Sequence, residues 1–120
     1  MVDRDYLKKD KQIGIRMGDD TSNNLDKIKK EYDISATDAL FKSVHNQFIE
    51  AKDILMGFAP VETIKEEKTS KSKLKNFRIS EVEMDEIEYL MRAYNLSQAG
   101  ALRYSIDQEA ERIRKRKEVE

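Results

Sequence analysis

Apolar and polar positions alternate over Gln12-Ile13-Gly14-Ile15-Arg16-Met17, with Ile13, Ile15 and Met17 on one side and Gln12, Gly14 and Arg16 on the other. Successive side chains leave a strand on opposite faces, so a period of two predicts a half-buried strand over 12–17. Residues 74–79 carry a weaker version, with Phe77 and Ile79 inward and Leu74, Asn76 and Arg78 outward. Lys75 takes the first inward slot, which predicts a frayed or displaced strand end, and Leu74 facing water is an anomaly.

The period then changes to that of a helix. After the second strand, Ser80 with Glu83 three residues on forms a capping box, and Met84, Ile87, Leu90 or Met91, and Tyr94 make one apolar stripe. After the first strand, "GDDTSNN" offers several capping side chains, and Leu25, Ile28 and Tyr32 carry the stripe. These helices end at Asp33 and Asn95. Second helices begin at Ser35 and Ser97 as N-caps. One stripe runs Leu40, Val44, Phe48, Ala51, Leu55 with Gly57 as a C′ residue; the other runs Leu102, Ile106, Ala110, Ile113 into a basic end, "RIRKRK".

The two series are copies. "YDISATDAL" at 32–40 and "YNLSQAGAL" at 94–102 lie 62 positions apart, and the same offset sets Arg16 on Arg78, Leu25 on Ile87, Ser43 on Ser105 and Val44 on Ile106. Internal repetition decides the fold. Residues 1–11 read as a polar arm, 12–57 as copy one, 58–73 as a linker holding the only Pro, and 74–117 as copy two. A lone strand in a unit of this size leaves its edge unpaired and buries too little surface. The expected fold is mainly α, with the two strands paired antiparallel as a short ribbon and four helices on its inner face.

Composition narrows the chemistry. The chain has 120 residues, 39% charged and 38% hydrophobic, with no Cys, so disulfides, thiolate metal sites and Cys nucleophiles are excluded. Neither a long apolar span nor a signal-peptide core is present, so a soluble protein in a reducing intracellular setting is expected. Abundant Lys and Glu with a single Pro fit a protein built for high temperature. Net charge is −1, yet residues 68–78 hold five cations and no acid, and residues 8–16 hold four cations against Asp10. Positive charge therefore gathers at both strands, where distribution counts more than the sum.

Strand–helix–helix, a Ser cap 19 positions after the strand Arg and an aliphatic residue five beyond that cap together resemble the ribbon-helix-helix DNA-binding proteins of the MetJ/Arc superfamily, over about 12–55 and 74–113. Tandem copies in one highly charged chain look like transcriptional regulators of archaeal viruses, which implies the cytoplasm or nucleoid of an infected prokaryotic cell. The resemblance implies a pseudo-dimer within one chain whose ribbon lies in the major groove of double-stranded DNA. Gln12, Gly14, Arg16, Leu74, Asn76 and Arg78 would face base edges. Ser35, Ala36 and Thr37, with Ser97, Gln98 and Ala99, would seat phosphates at helix N-termini, aided by Lys11, Lys73 and Lys75. Asp38 completes a capping box with Ser35 where copy two has Gly100, so phosphate binding should be weaker at the first helix end. Unlike outward triplets imply an asymmetric DNA element. Repression by promoter occupancy and activation are both open, as are intramolecular and strand-exchanged pairing.

Other chemistry finds little support. His45 is expected to pack at the core rim, without metal ligands at spacing on its own helix. Asp20, Ser22, Asn24 and Glu31 sit at calcium-loop positions, but Leu25 stands where that loop requires Gly. Nucleophile–base pairs and Gly-rich phosphate loops are absent, so no enzyme activity, cofactor, metal or small-molecule ligand is expected. Tyr6, Phe41, Ile49, Phe58 and Ile64 are expected outside the core, where they would support homo-oligomers spreading along DNA. The alternative is an antitoxin-like protein-interaction module; RNA binding is weakened by the low aromatic content of the strands.

Overall fold

Strand β1 (Lys11–Met17) and strand β2 (Lys73–Ile79) pair antiparallel as a two-stranded sheet, with Gly14 opposite Asn76 at its centre. The computed structural model describes residues 11–55 and 73–119. Residues 1–10 of the expected polar arm and 58–72 of the expected linker, with Tyr6, Gly57, Phe58 and Ile64, lie outside the described residues, while Lys11 and Lys73 belong to the strands rather than to the arm and linker. Four helices complete the order: α1 (Asp19–Tyr32) and α2 (Ala36–Leu55) after β1, α3 (Glu81–Tyr94) and α4 (Gln98–Val119) after β2. The protein is mainly helical.

Every element of the second series starts 62 positions after its counterpart, and the local bonds repeat at the same offset. Asp33 and Asn95 both adopt the left-handed conformation at φ 54, as short polar side chains tolerate, and close α1 and α3. The Ser35 hydroxyl accepts the Asp38 N–H at 3.1 Å, and the Ser97 hydroxyl accepts the Gly100 N–H at 3.0 Å. Among the described residues only this Ser35 half of the expected capping box is formed. Ser80 and Glu83 make both halves of theirs. Helix α1 differs: its N-cap is Gly18, without a side-chain cap, and Asp19 and Asp20 in the first turn offset the exposed N–H groups instead. Asp20, Ser22, Asn24 and Glu31 all lie within α1, which leaves no calcium loop there.

The alternation in the strands places Ile13, Ile15, Met17, Phe77 and Ile79 in one core with Leu25, Ile28, Leu40, Val44, Ile87, Leu90, Leu102 and Ile106. Full burial of each Ile or Leu stabilises by about 1.5–3 kcal/mol. Phe41, expected outside, belongs to this core. Lys75 leaves β2 regular rather than frayed, because its ammonium reaches out of the core to donate to the Ser22 hydroxyl at 3.0 Å. His45 is exposed rather than packed at the core rim, its Nδ1 2.7 Å from the Glu86 carboxylate on α3.

The stripes of α2 and α4 hold at Leu40, Val44 and Ala51 and at Leu102, Ile106 and Ile113, and depart from expectation at one position in each. Gln47 and Glu109, not Phe48 and Ala110, are the fully buried pair, each 1% exposed. Burying such groups is costly unless partners satisfy them. Glu109 accepts from the Tyr32 hydroxyl at 2.7 Å, Asn46 at 3.0 Å and Arg112 at 2.8 Å, while Gln47 donates to the Tyr94 hydroxyl at 2.6 Å. Burial pushes the Glu109 carboxyl up, but these hydrogen bonds and the Arg112 charge outweigh it and hold its pKa below the ordinary value of 4.5. Removing this charge is therefore expected to matter above about pH 4.5 and progressively less below it. Glu109→Gln should lose about 1–3 kcal/mol in urea unfolding at pH 7. A carboxyl with a depressed folded-state pKa contributes stability above its unfolded pKa and loses it as pH falls through the folded value. The two proteins should therefore converge below pH 4.5; a difference that stays constant to pH 3 would contradict the assignment.

Candidate nucleic-acid interface

Pairing the strands brings their outward triplets onto one face. Gln12 lies opposite Arg78, Gly14 opposite Asn76 and Arg16 opposite Leu74, and all six are exposed. Position 14 and its repeat counterpart 76 thus sit across from each other, so the repeat's two-fold axis passes through the centre of the ribbon. The two arginines lie at diagonal corners. Among the described residues neither guanidinium makes a hydrogen bond or an ion pair, and both arginines are exposed.

Gly14 has an extended backbone that needs no special conformation, and its role is space. A Cβ there would stand 3.1 Å from Asn76 Oδ1 and 3.2 Å from Leu74 Cδ1. Two of the three outward side chains of β2, Leu74 and Asn76, therefore border the space above the glycine, and Leu74 is 56% exposed. The face is consequently unlike on its two strands: Gln12 and Arg16 flank a gap on β1, and Leu74 and Asn76 fill that gap from β2.

The flanking candidates separate into groups. Lys11 is exposed at the start of β1, 3.9 Å from the exposed Glu81 carboxylate, a contact too long and too wet to hold it. The backbone of Lys73 starts β2 opposite Met17. Lys75 stands on the inner face, so the ribbon geometry does not group it with the outward residues. The Ser35 and Ser97 hydroxyls occupy one N–H each, and the first-turn N–H groups of Ala36 and Thr37, and of Gln98 and Ala99, are of the kind a helix leaves without internal partners.

One anchor was not foreseen. Arg103 donates from Nη1 to the Arg16 carbonyl at 3.0 Å and ties α4 to the end of β1. Gln98 precedes Arg103 by five residues, about 8 Å along a helix, which sets the start of α4 at the Arg16 end of the ribbon. Copy one has Phe41 at the matching position, turned into the core. The offset between the copies was the signal that could have marked position 103 as different. Among the described residues no group of His, Cys, Asp and Glu could hold a metal ion. Among the described residues no helix is long and apolar enough to cross a membrane.

Comparison with protein families, with curated proteins and with solved structures gives no match to the chain. The site therefore has to be judged on its own geometry. Gly14→Ala should cost less than about 1 kcal/mol in unfolding, because a new methyl displaces only the far ends of two exposed side chains. A loss above about 2 kcal/mol would show that Asn76 and Leu74 cannot move aside.

Proposed function

We propose that the protein is a sequence-specific double-stranded DNA-binding transcriptional regulator of the ribbon-helix-helix kind, with the two copies paired in one chain as a pseudo-dimer. The observation that carries this reading is the exposed ribbon face, on which Arg16 and Arg78 stand beside Gln12 and Asn76 without a side-chain partner among the described residues. Paired strands lie about 4.8 Å apart, so a two-stranded ribbon enters a major groove about 12 Å wide. There an arginine fork matches guanine O6 and N7, and an amide matches adenine. Gly14 contributes no contact of its own; it lets Asn76 sit at the centre of the face.

Phosphates on either side would be met by Lys11 and Lys73 and by the two helix starts, where free N–H groups and the helix dipole favour anions. The starts are unequal. Asp38 places an acid in the first turn of α2, whereas α4 has no acid in its first turn. A chain that docks on DNA would hold the α4 end more firmly than the α2 end. Together with unlike triplets, this favours a DNA element without inverted symmetry. Occupancy of a promoter would act by exclusion, with no catalysis.

A second reading, an antitoxin-like module that neutralises a protein partner, draws on Ile49, which is 52% exposed on α2. Salt separates the two: phosphate neutralisation makes affinity fall linearly in log–log form, while a complex built on Ile49 would resist salt.

The test uses duplexes selected from a randomised pool by the intact protein. Arg78→Ala should lower affinity for the selected sequence by about 1–3 kcal/mol and affinity for random duplex by less. Equal losses on both would reduce Arg78 to a phosphate clamp, and failure to select any sequence would remove the regulator reading.

A further inference from the structure

The helical contacts between the halves repeat about the ribbon's two-fold axis, but the residues that make them do not match. The position pair 24 and 107 in one direction is 86 and 45 in the other. Asn24 donates to Asp107 at 3.0 Å, and His45 meets Glu86 at 2.7 Å. The next pair joins Tyr32 to Glu109 and Tyr94 to Gln47, at 2.7 and 2.6 Å. The third lies on the axis itself, where counterparts 50 and 112 meet each other. Glu50 and Arg112 form an ion pair at 2.6 Å, and Arg112 also donates to Gln47 and Glu109.

We infer that this surface is a charge code through which each half accepts only the unlike half as its partner. Residue i and residue i+62 occupy equivalent places, so a half paired with its own kind would meet the counterpart residue instead. Two first halves would bring Glu50 against Glu50 on the axis, with no arginine to separate them. Two second halves would bring Arg112 against Arg112, and would set Asp107 against Glu86 twice. Like charges set against each other at such contacts disfavour wrong partners. Asp107 is already pushed above its ordinary pKa by burial, although Asn24 and Thr21 hydrogen-bond to it, so a second carboxylate at that place is poorly tolerated. The tyrosines at 32 and 94 serve either pairing equally, because the Glu109 carboxylate accepts from a phenol and the Gln47 amide can donate to one or accept from it. They hold the halves together without choosing between them.

The consequence is an oriented unit. Every ribbon is made of one β1 and one β2, whether the strands come from one chain or are exchanged between two chains. Ribbons of two β1 strands or two β2 strands, which would link chains into open-ended arrays, are rejected. This inference stands on the helical interface and holds whether or not the ribbon meets DNA.

The chain has no cysteine, so introduced thiols report the pairing directly. Residues 14 and 76 face each other across the axis and are both exposed. Facing residues on paired strands are within the Cα separation that a disulfide requires. In the full-length protein Gly14→Cys alone, or Asn76→Cys alone, should cross-link two chains no faster than Glu88→Cys, an exposed control on α3. The double variant should form its 14–76 disulfide readily. Rapid disulfide-linked dimers from either single variant, well above the control, would overturn the inference.

A second measurement checks the code itself. Converting copy one to copy two's residues, Gln47→Glu with Glu50→Arg, sets two arginines on the axis and should lower the Tm by about 5–10 °C. Adding Glu109→Gln with Arg112→Glu restores unlike halves in the opposite sense and should recover at least half of that loss. A four-residue variant no more stable than the two-residue one would show that the charges do not select the partner.

Discussion

The structure depends on one pairing that neither half can make alone. A seven-residue strand carries a row of backbone donors and acceptors along its edge, and β1 and β2 each have a single neighbour to satisfy them. Joining the strands fixes which faces are in and out. Ile13, Ile15 and Met17 turn down with Phe77 and Ile79, and the helices have one continuous apolar surface to cover. Register follows from the same requirement, because a slip of one residue would send Arg16 into the core and Ile15 into water. The core, the facing of positions 14 and 76, and the exposed triplets are three results of one contact.

Duplication makes such a fold economical, and divergence between the copies makes it specific. The framework positions stay alike: tyrosines 32 and 94, serines 43 and 105 bonded to the carbonyls of Ala39 and Ala101, and αL residues at 33 and 95. Some of the positions that differ are ones that meet the other half. On the ribbon, Gly14 faces Asn76. At the helical seam, Glu50 faces Arg112 and Gln47 stands where copy two has Glu109. A homodimer has to make each such position compatible with itself. A duplicated chain is free of that restriction, which suits the proposed recognition of an unsymmetrical DNA element and an interface that distinguishes the halves.

Much of this was legible in the sequence where the signal is local. Period-two alternation located both strands to within a residue, and the Ser80–Glu83 box and the serine caps marked three helix starts. What failed was long-range. Glu109 is polar and three residues from Ile106, so local pattern puts the apolar stripe through Ala110; the Tyr32 hydroxyl and the Asn46 amide, 77 and 63 positions away, help make burial of that carboxylate tolerable together with Arg112. Lys75 looked like a strand defect because its partner, Ser22, lies on a helix 53 positions earlier. Phe41 looked like a surface aromatic because nothing in the neighbouring residues tells that α2 turns it toward the core. The start of α1 misled in the opposite way. "GDDTSNN" holds many residues that cap well, and the chain uses Gly18 instead.

Native-state amide hydrogen exchange tests the central pairing most directly. If β1 and β2 hold the fold together, the hydrogen-bonded amides of Lys11–Met17 and Lys73–Ile79 should open only with global unfolding. Their protection should then match that of the buried turns of α2 and α4 around Val44 and Ile106. Strand amides that exchange orders of magnitude faster than those helix amides would mean that the helices form the stable unit and that the ribbon is an adornment, which would contradict the constraint from which the rest follows.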